Sequence, residues 1–279
     1  MVLARGRCPS DSIGVNMMNG VRISCLFLLA MPAAFAWQDT LSADKPGPFP
    51  EVVPFTAEFR IGWSEIEAAR AQATITYDAK SVFLVADGGT KGLARTLYPL
   101  DATFQGATER ATLQTIRSEQ VEIYPSRTLT TLITGVNGKL TSLRESNPPG
   151  KKPAKWKAVP VEPVRDFFAG MLFIRSQPLE KGDKVRLIMF PGGSAFLVDI
   201  TSLGPEVLAA DGQDREAIKL DLRIQRVNTK KGNALERHSK FNSGKIWLTN
   251  DADRIPLRAE VDIFIGYVFA ELTTFKKIE

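Results

Sequence analysis

The chain has 279 residues, 44% of them hydrophobic and 24% charged. That composition supports a sizeable buried core and excludes a disordered or fibrous chain. The formal charge is +5, part of it carried before residue 37 by Arg5, Arg7 and Arg22 against Asp11; the mild remainder offers no concentrated basic patch of the kind nucleic acid requires.

Residues 1–36 read as a secretory signal peptide. Arg22 precedes the apolar run 23–31, Pro32 follows, and Ala34-Phe35-Ala36 makes an A-x-A exit, so cleavage is expected after Ala36. The run is too short for a permanent membrane span. Met17 and Met18 offer an alternative translation start. Both cysteines, Cys8 and Cys25, fall in this leader, and none follows the apolar run as a lipid-anchor site. The mature protein is therefore expected to lack thiol chemistry and transmembrane spans and to be periplasmic or secreted.

Residues 37–53, with Lys45-Pro46-Gly47-Pro48 and Pro50, read as a flexible lead-in to a single β-rich domain over 54–279. Phe55, Ala57, Phe59, Ile61 and Trp63 then alternate with more polar neighbours at strand period. The alternation continues over 69–77 with small residues, a face that should lie against something bulky. An apolar run over 82–86 ends at an expected turn, Asp87-Gly88-Gly89. A short helix is expected over 91–97, strands over 102–107 and 112–124, and a hairpin about Val136-Asn137-Gly138. Residues 146–163, rich in Pro and Lys, read as the clearest loop in the chain.

The next stretch carries the one amphipathic helix. Val164, Phe167, Phe168, Met171, Leu172 and Ile174 recur at helical spacing; Pro163 suits the first turn, Asp166 sets a carboxylate near the positive end of the dipole, and Pro178 ends the run. Strands follow over 185–190 and 195–201 about Pro191-Gly192-Gly193, over 218–225, 245–249 and 255–265, and over 267–275 after a break at Gly266; residues 229–237 read as a basic turn. About a dozen strands with short turns predict a mainly β fold, an antiparallel curved sheet or partly open barrel with one docked amphipathic helix and one short helix.

Little in the sequence points to catalysis. His238 is the only histidine and sits in a basic turn, where a surface role is expected. Asn250-Asp251-Ala252-Asp253 lacks the glycine and closing glutamate of a calcium loop and reads as a β-turn. Glu65, Asp101 and Asp183 are the carboxylates that a two-carboxylate hydrolase would call on, with weak support. No catalytic residue, metal site or cofactor is assigned. Lys151, Lys152, Lys155 and Lys157 around Trp156 form the one local basic cluster with an aromatic, suited to anionic headgroups or an anionic polymer.

Several short motifs occur in a telling order: Ile61-Gly62-Trp63; Gly92-Leu93 leading into Leu97-Tyr98-Pro99-Leu100-Asp101; the helix closed by Pro178-Leu179-Glu180-Lys181-Gly182-Asp183; and Ile246-Trp247-Leu248-Thr249-Asn250-Asp251 with Arg254-Ile255-Pro256. Together they resemble a bacterial exported family catalogued as a domain of unknown function, family 3108, over roughly 54 to 275. Glu162-Pro163 departs from the Asp-Pro common there. The resemblance brings no catalytic residues and implies a fold similar to the curved half-barrels of periplasmic lipoprotein carriers.

The expectation is a non-enzymatic carrier or binding protein of the cell envelope, with a lipid-like or other apolar ligand in its concavity. Phe167, Phe168, Met171 and Leu172 would form the wall, and Trp63, Tyr98 and Trp247 the mouth. The alternative is an envelope assembly or scaffold factor that binds a protein partner through an edge strand or the Lys-rich loop.

Overall fold

Strand periodicity governs most of the molecule. The computed structural model describes residues 37–150, 153–210 and 212–278; the expected signal peptide, with Met17 and Met18, and the loop lysines Lys151 and Lys152 lie outside them. In chain order the elements are β1 (Phe55–Trp63), β2 (Ile66–Tyr77), β3 (Ser81–Thr90), α1 (Gly92–Leu97), β4 (Asp101–Glu109), β5 (Thr115–Tyr124), β6 (Arg127–Val136), β7 (Lys139–Asn147), β8 (Lys157–Ala158) and α2 (Phe167–Ser176). They continue as β9 (Lys184–Met189), β10 (Phe196–Ala210), β11 (Gln213–Asn228), β12 (Ala234–Arg237), β13 (Ser243–Thr249), β14 (Pro256–Asp262) and β15 (Tyr267–Lys277). All fifteen described strands belong to one sheet, ordered β8-β7-β6-β5-β4-β3-β2-β1-β15-β14-β13-β11-β10-β9, with β12 added to β11. The strand pairings are antiparallel, and the sheet does not close into a barrel by pairing its edges.

The two edges nevertheless face each other across a seam. Residue 158 still pairs with β7, and the Val159 N–H donates to the Leu140 carbonyl at 2.8 Å. Six residues later the chain has crossed to β9, where the Arg165 N–H donates to Ile188 O at 3.1 Å and the Phe190 N–H to Arg165 O at 2.7 Å. Ile133 and Leu140 from one edge meet Ile188, Phe190 and Leu197 from the other, with Val159, Val161 and Val164 of the crossing chain between them, all buried. The expected loop over 146–163 therefore ends in core. Its alternate valines are too few to stand out among the prolines and lysines.

Helix α2 lies inside the concavity. Phe173 and Ile174 pack with Val185, Leu187, Val198, Leu220 and Ile246 of β9–β13, while Phe168 and Leu172 pack with Val82 and Leu113 and against Leu84 and Phe104 on the opposite wall. The helix starts later than its apolar spacing predicts. Pro163 is outside the first turn, Val164 belongs to the seam, and Asp166 is the N-cap, its Oδ1 accepting from the Ala169 N–H at 2.8 Å. Arg165 fixes that boundary, because its backbone is committed to β9. At the far end Arg254 donates to the carbonyls of Gln177 (3.0 Å) and Pro178 (2.8 Å), and Arg175 to those of Glu51 (2.7 Å) and Asp253 (2.8 Å). Arg254 thus answers carbonyls left open where the helix ends.

Other boundaries also move. Asp87-Gly88-Gly89 is no turn and lies within β3. A Cβ at Gly88 would stand 2.7 Å from Arg70 O and 2.9 Å from the Ala71 Cβ, so the glycine serves a close approach of β2 and β3. β10 runs on past residue 201 through a bulge between Ser202 and Gly204, and β12 occupies part of the expected basic turn. Residues 37–53 run along the body: the Ser42 N–H donates to Arg186 O on β9 at 2.9 Å, Asp44 pairs with Arg165 at 2.6 Å, and the Phe49 N–H donates to Ser176 O at 3.0 Å.

The seam sets a stability expectation. Leu140→Ala removes a side chain 1% exposed at the meeting of the two edges and should cost about 2–5 kcal/mol in equilibrium denaturant unfolding; a cost within the range of surface substitutions would show that the seam is not a packed core.

Candidate functional site

The concave face is filled on one side of α2 and empty on the other. Strand register explains the difference, since residues directly opposite each other in an antiparallel sheet share a face. One inward row runs Ala73, Ala86, Phe104, Gln120, Thr131 across β2–β6; its neighbour runs Phe59, Ala71, Gly88, Ala102. Alanine and glycine dominate these inward rows on β2–β4, so the strands contribute little volume there. What remains is an open cavity of about 610 Å³, within the usual range for small-molecule sites. Its apolar wall includes Ile61, Ala69, Ala71, Leu84, Ala86 and Phe104. The exposed Arg70, Asp87 and Thr103 also border it.

The N-terminus of α2 and strands β5–β6 supply the other end. Ser118, Gln120 and Thr131 face the cavity together with Ile133, Asp166 and Phe167. Phe167, 51% exposed, stands at the opening, whereas Phe168 turns into the core over Gly106, where an added Cβ would lie 3.0 Å from its ring. Asp166 is 1% exposed. Its backbone N–H donates to Thr115 Oγ1 at 2.9 Å and its Oδ1 caps Ala169, but Oδ2 has no hydrogen-bond partner among the described residues. Burial pushes its carboxyl pKa up, against the opposing influence of the Ala169 N–H and the nearby Ser118 and Thr115 hydroxyls.

The residues singled out from sequence divide. Phe167 lines the cavity. Phe168 and Leu172 are buried in the cluster beside it, and Met171 packs on the opposite core. Tyr98 is exposed and meets Tyr124 edge to face, and Trp247 is buried with Ala217, Leu257 and Leu272, its indole N–H on Glu206. Trp63 breaks from the alternation of Phe55 and Ala57: a bulge between Ile61 and Gly62 buries the glycine and turns the indole outward, where it donates to Ile265 O at 2.7 Å. Lys155, Trp156 and Lys157 are exposed. What sequence reasoning missed is the polar end, Ser118, Gln120, Thr131 and Asp166, because those residues meet only through sheet register and the docking of α2. The small-residue alternation of 69–77 was the available signal for the apolar wall.

The three carboxylates weighed for hydrolysis are not brought together at the cavity. Asp101 is held by Arg95 in a two-pronged pair (2.7 and 2.8 Å), and Asp183 accepts from the Glu180 N–H at 2.8 Å in a turn. Glu65 joins Arg258, Arg60 and Tyr267. His238 is half-buried rather than fully at the surface: its ring stacks on Phe241 at 4.1 Å and Nδ1 accepts from the Lys240 N–H, with its pKa lowered by burial and by Arg226 and Lys240. Asp251 Oδ1 accepts from Thr249 Oγ1 and from the N–H groups of residues 253 and 254, as a turn residue does.

Glu65 gives a pH expectation. Hydrogen bonds, first from Arg258 and then from Tyr267, pull its carboxyl from 4.5 to about 2. A carboxyl whose folded pKa is depressed contributes stability that is complete above its unfolded value and fades as pH falls toward the folded one. Thermal unfolding should therefore show Glu65→Gln less stable than the parent at neutral pH and equal to it near the acid end of that window; an unchanged difference across it would mean the cluster contributes nothing through ionisation.

No curated protein matches the chain. A family model described as a protein of unknown function, DUF3108, matches residues 58–273. Among solved structures, a β-barrel-like protein of the domain of unknown function DUF1849 from Brucella abortus superimposes with a TM-score of 0.52 at 9% identity, covering 82% of this chain and 99% of that one. A protein from Bacteroides fragilis, described as exported and of YmcC-like fold, gives 0.36 at 7% identity over 83% and 100%. One from Parabacteroides distasonis, described as a lipoprotein, gives 0.34 at 8% identity over 84% and 100%. At these identities the first likeness concerns the fold alone, and the other two scores are too low to argue from.

Proposed function

The chain belongs to the family of proteins of unknown function DUF3108, and on that footing we propose that it is a non-enzymatic carrier or binding protein of the cell envelope whose concavity holds a lipid-like or other apolar ligand. The observation that carries this is the cavity of about 610 Å³ walled by alanine, leucine, isoleucine and phenylalanine side chains. A wall of that kind gains by exchanging water for an apolar group, at about 25 cal/mol for each Å² removed from water. Export by the leader over 1–36 is part of the same proposal, resting on the charge, apolar run and A-x-A exit of that segment.

The test is native mass spectrometry of the mature protein, purified gently from a bacterial envelope, set against its denatured mass. A stoichiometric apolar companion released on denaturation is expected. Ala86→Phe, which projects a ring into the cavity, should abolish its retention while leaving the thermal midpoint and strand signal in place. Retention unchanged by Ala86→Phe would place any ligand elsewhere and overturn the assignment of this cavity.

A second reading, an envelope assembly factor that binds a protein partner, is favoured by a different surface. The tips of the β1–β2 and β14–β15 hairpins lie together and expose Trp63, Ile66, Ile265 and Phe264, the last 94% exposed. The edge of β9, by contrast, is already occupied by Ser42 and Arg165. Cross-linking in cells should then recover one envelope protein from the parent and lose it in Phe264→Ser/Ile265→Ser; equal recovery from both would remove this surface from consideration.

A further inference from the structure

The cavity has an end chosen for chemistry rather than for shape. The inward rows of β2–β4 are mainly alanine, glycine, leucine and phenylalanine, with the polar Arg70, Asp87 and Thr103 at the exposed border, so that wall suits an alkyl chain without selecting its headgroup. Asp166 is different. Its side chain is buried, one carboxylate oxygen accepts the capping hydrogen bond of α2, and the second makes no hydrogen bond among the described residues, on a residue that lines the cavity. A buried acceptor left unpaired costs free energy that a matching donor recovers, and an acceptor placed against it adds repulsion. Gln120 and Thr131 stand on the same inward face of β5–β6, able to satisfy the remaining polar valences of whatever group arrives there, while the Ser118 hydroxyl beside them stands near the Asp166 carboxyl. Arg165, the preceding residue, makes no ion pair with the carboxylate: it pairs with Asp44 at 2.6 Å, donates to Leu113 O at 3.0 Å and lies over the Phe173 ring, its Nη2 having no hydrogen-bond partner among the described residues.

We propose that Asp166 is the headgroup-recognition residue of this cavity, its Oδ2 accepting a hydrogen bond from the donor-bearing end (hydroxyl, amide N–H or ammonium) of a long apolar ligand. The proposal rests on the carrier reading above and adds the class of ligand to it: chains ending in a donor are held, and chains ending in a bare carboxylate are rejected.

Three probes of equal chain length separate the possibilities, dodecanol, dodecylamine and dodecanoate, titrated onto the mature protein at about pH 8, where the dodecanoate is ionised. The parent should bind the alcohol and the amine at least about tenfold more tightly than the carboxylate, the ratio expected for one buried hydrogen bond made or refused. Asp166→Asn keeps an oxygen to cap Ala169 and exchanges the second acceptor for a donor. It should narrow or reverse that ratio while its thermal midpoint stays close to the parent's. Equal affinity of the parent for all three probes overturns the role of Asp166 and leaves the carrier reading standing, as does a ratio unchanged in Asp166→Asn. Binding of none of the three overturns both. Should Asp166→Asn fail to fold, the parent's own discrimination among the probes still decides.

Discussion

The concavity depends on the two edges of one long sheet being held face to face. Hydrogen bonding does not close it, since β8 and β9 are not paired. The closure is made by the crossing chain, which makes its last backbone hydrogen bond to β7 at Val159 and its first to β9 at Arg165. Between those points Val161 and Val164 fill the gap with apolar volume. A twisted sheet of this many strands tends to curl; the seam converts the curl into a cup with a fixed mouth. Because the same chain continues directly into α2, the position of the helix inside the cup is set by the closure itself.

The helix then partitions the enclosed volume. Toward β9–β13 it meets long aliphatic side chains and a continuous core results; toward β2–β4 it packs on Val82, Leu84 and Phe104, and beside them alanines and glycines leave the cavity open. Interiors ordinarily pack without voids of this size, and an unfilled apolar space forfeits contacts that would otherwise stabilise the fold. Its persistence here is compensated by the clusters around it, with Phe168 closing one side over Gly106 and β1, β14 and β15 supplying a separate core of Phe55, Leu257 and Leu272.

Both ends of α2 are anchored by buried polar groups. Asp166 holds the first turn, and Arg254 and Arg175 hold the chain that leaves and surrounds the last one. Burial lowers the pKa of Arg175 to about 10, and the proximity of Arg254 adds to that. These groups are costly to bury without partners, so each constrains what may sit beside it. The motif Arg254-Ile255-Pro256 acquires a physical meaning in this way: its arginine reaches across the cup to carbonyls 76 and 77 residues earlier in the chain.

Alternation and turn chemistry, which are local, determined the fold class and most strand positions: β1, β11 and the Asn137-Gly138 hairpin are legible because period two and a left-handed Asn-Gly pair need no tertiary partner to be read. The amphipathic stripe likewise announced α2. Three things were decided only in three dimensions. The glycines of β3 look like a turn until β2 is laid against them. Trp63 follows the inward alternation until a bulge reverses it. The cavity's polar end joins residues from β5, β6 and the helix cap, more than 45 residues apart from Ser118 to Asp166. Periodicity reports which side of its own element a residue occupies, but not what stands across the gap, and a binding site is made of what stands across the gap.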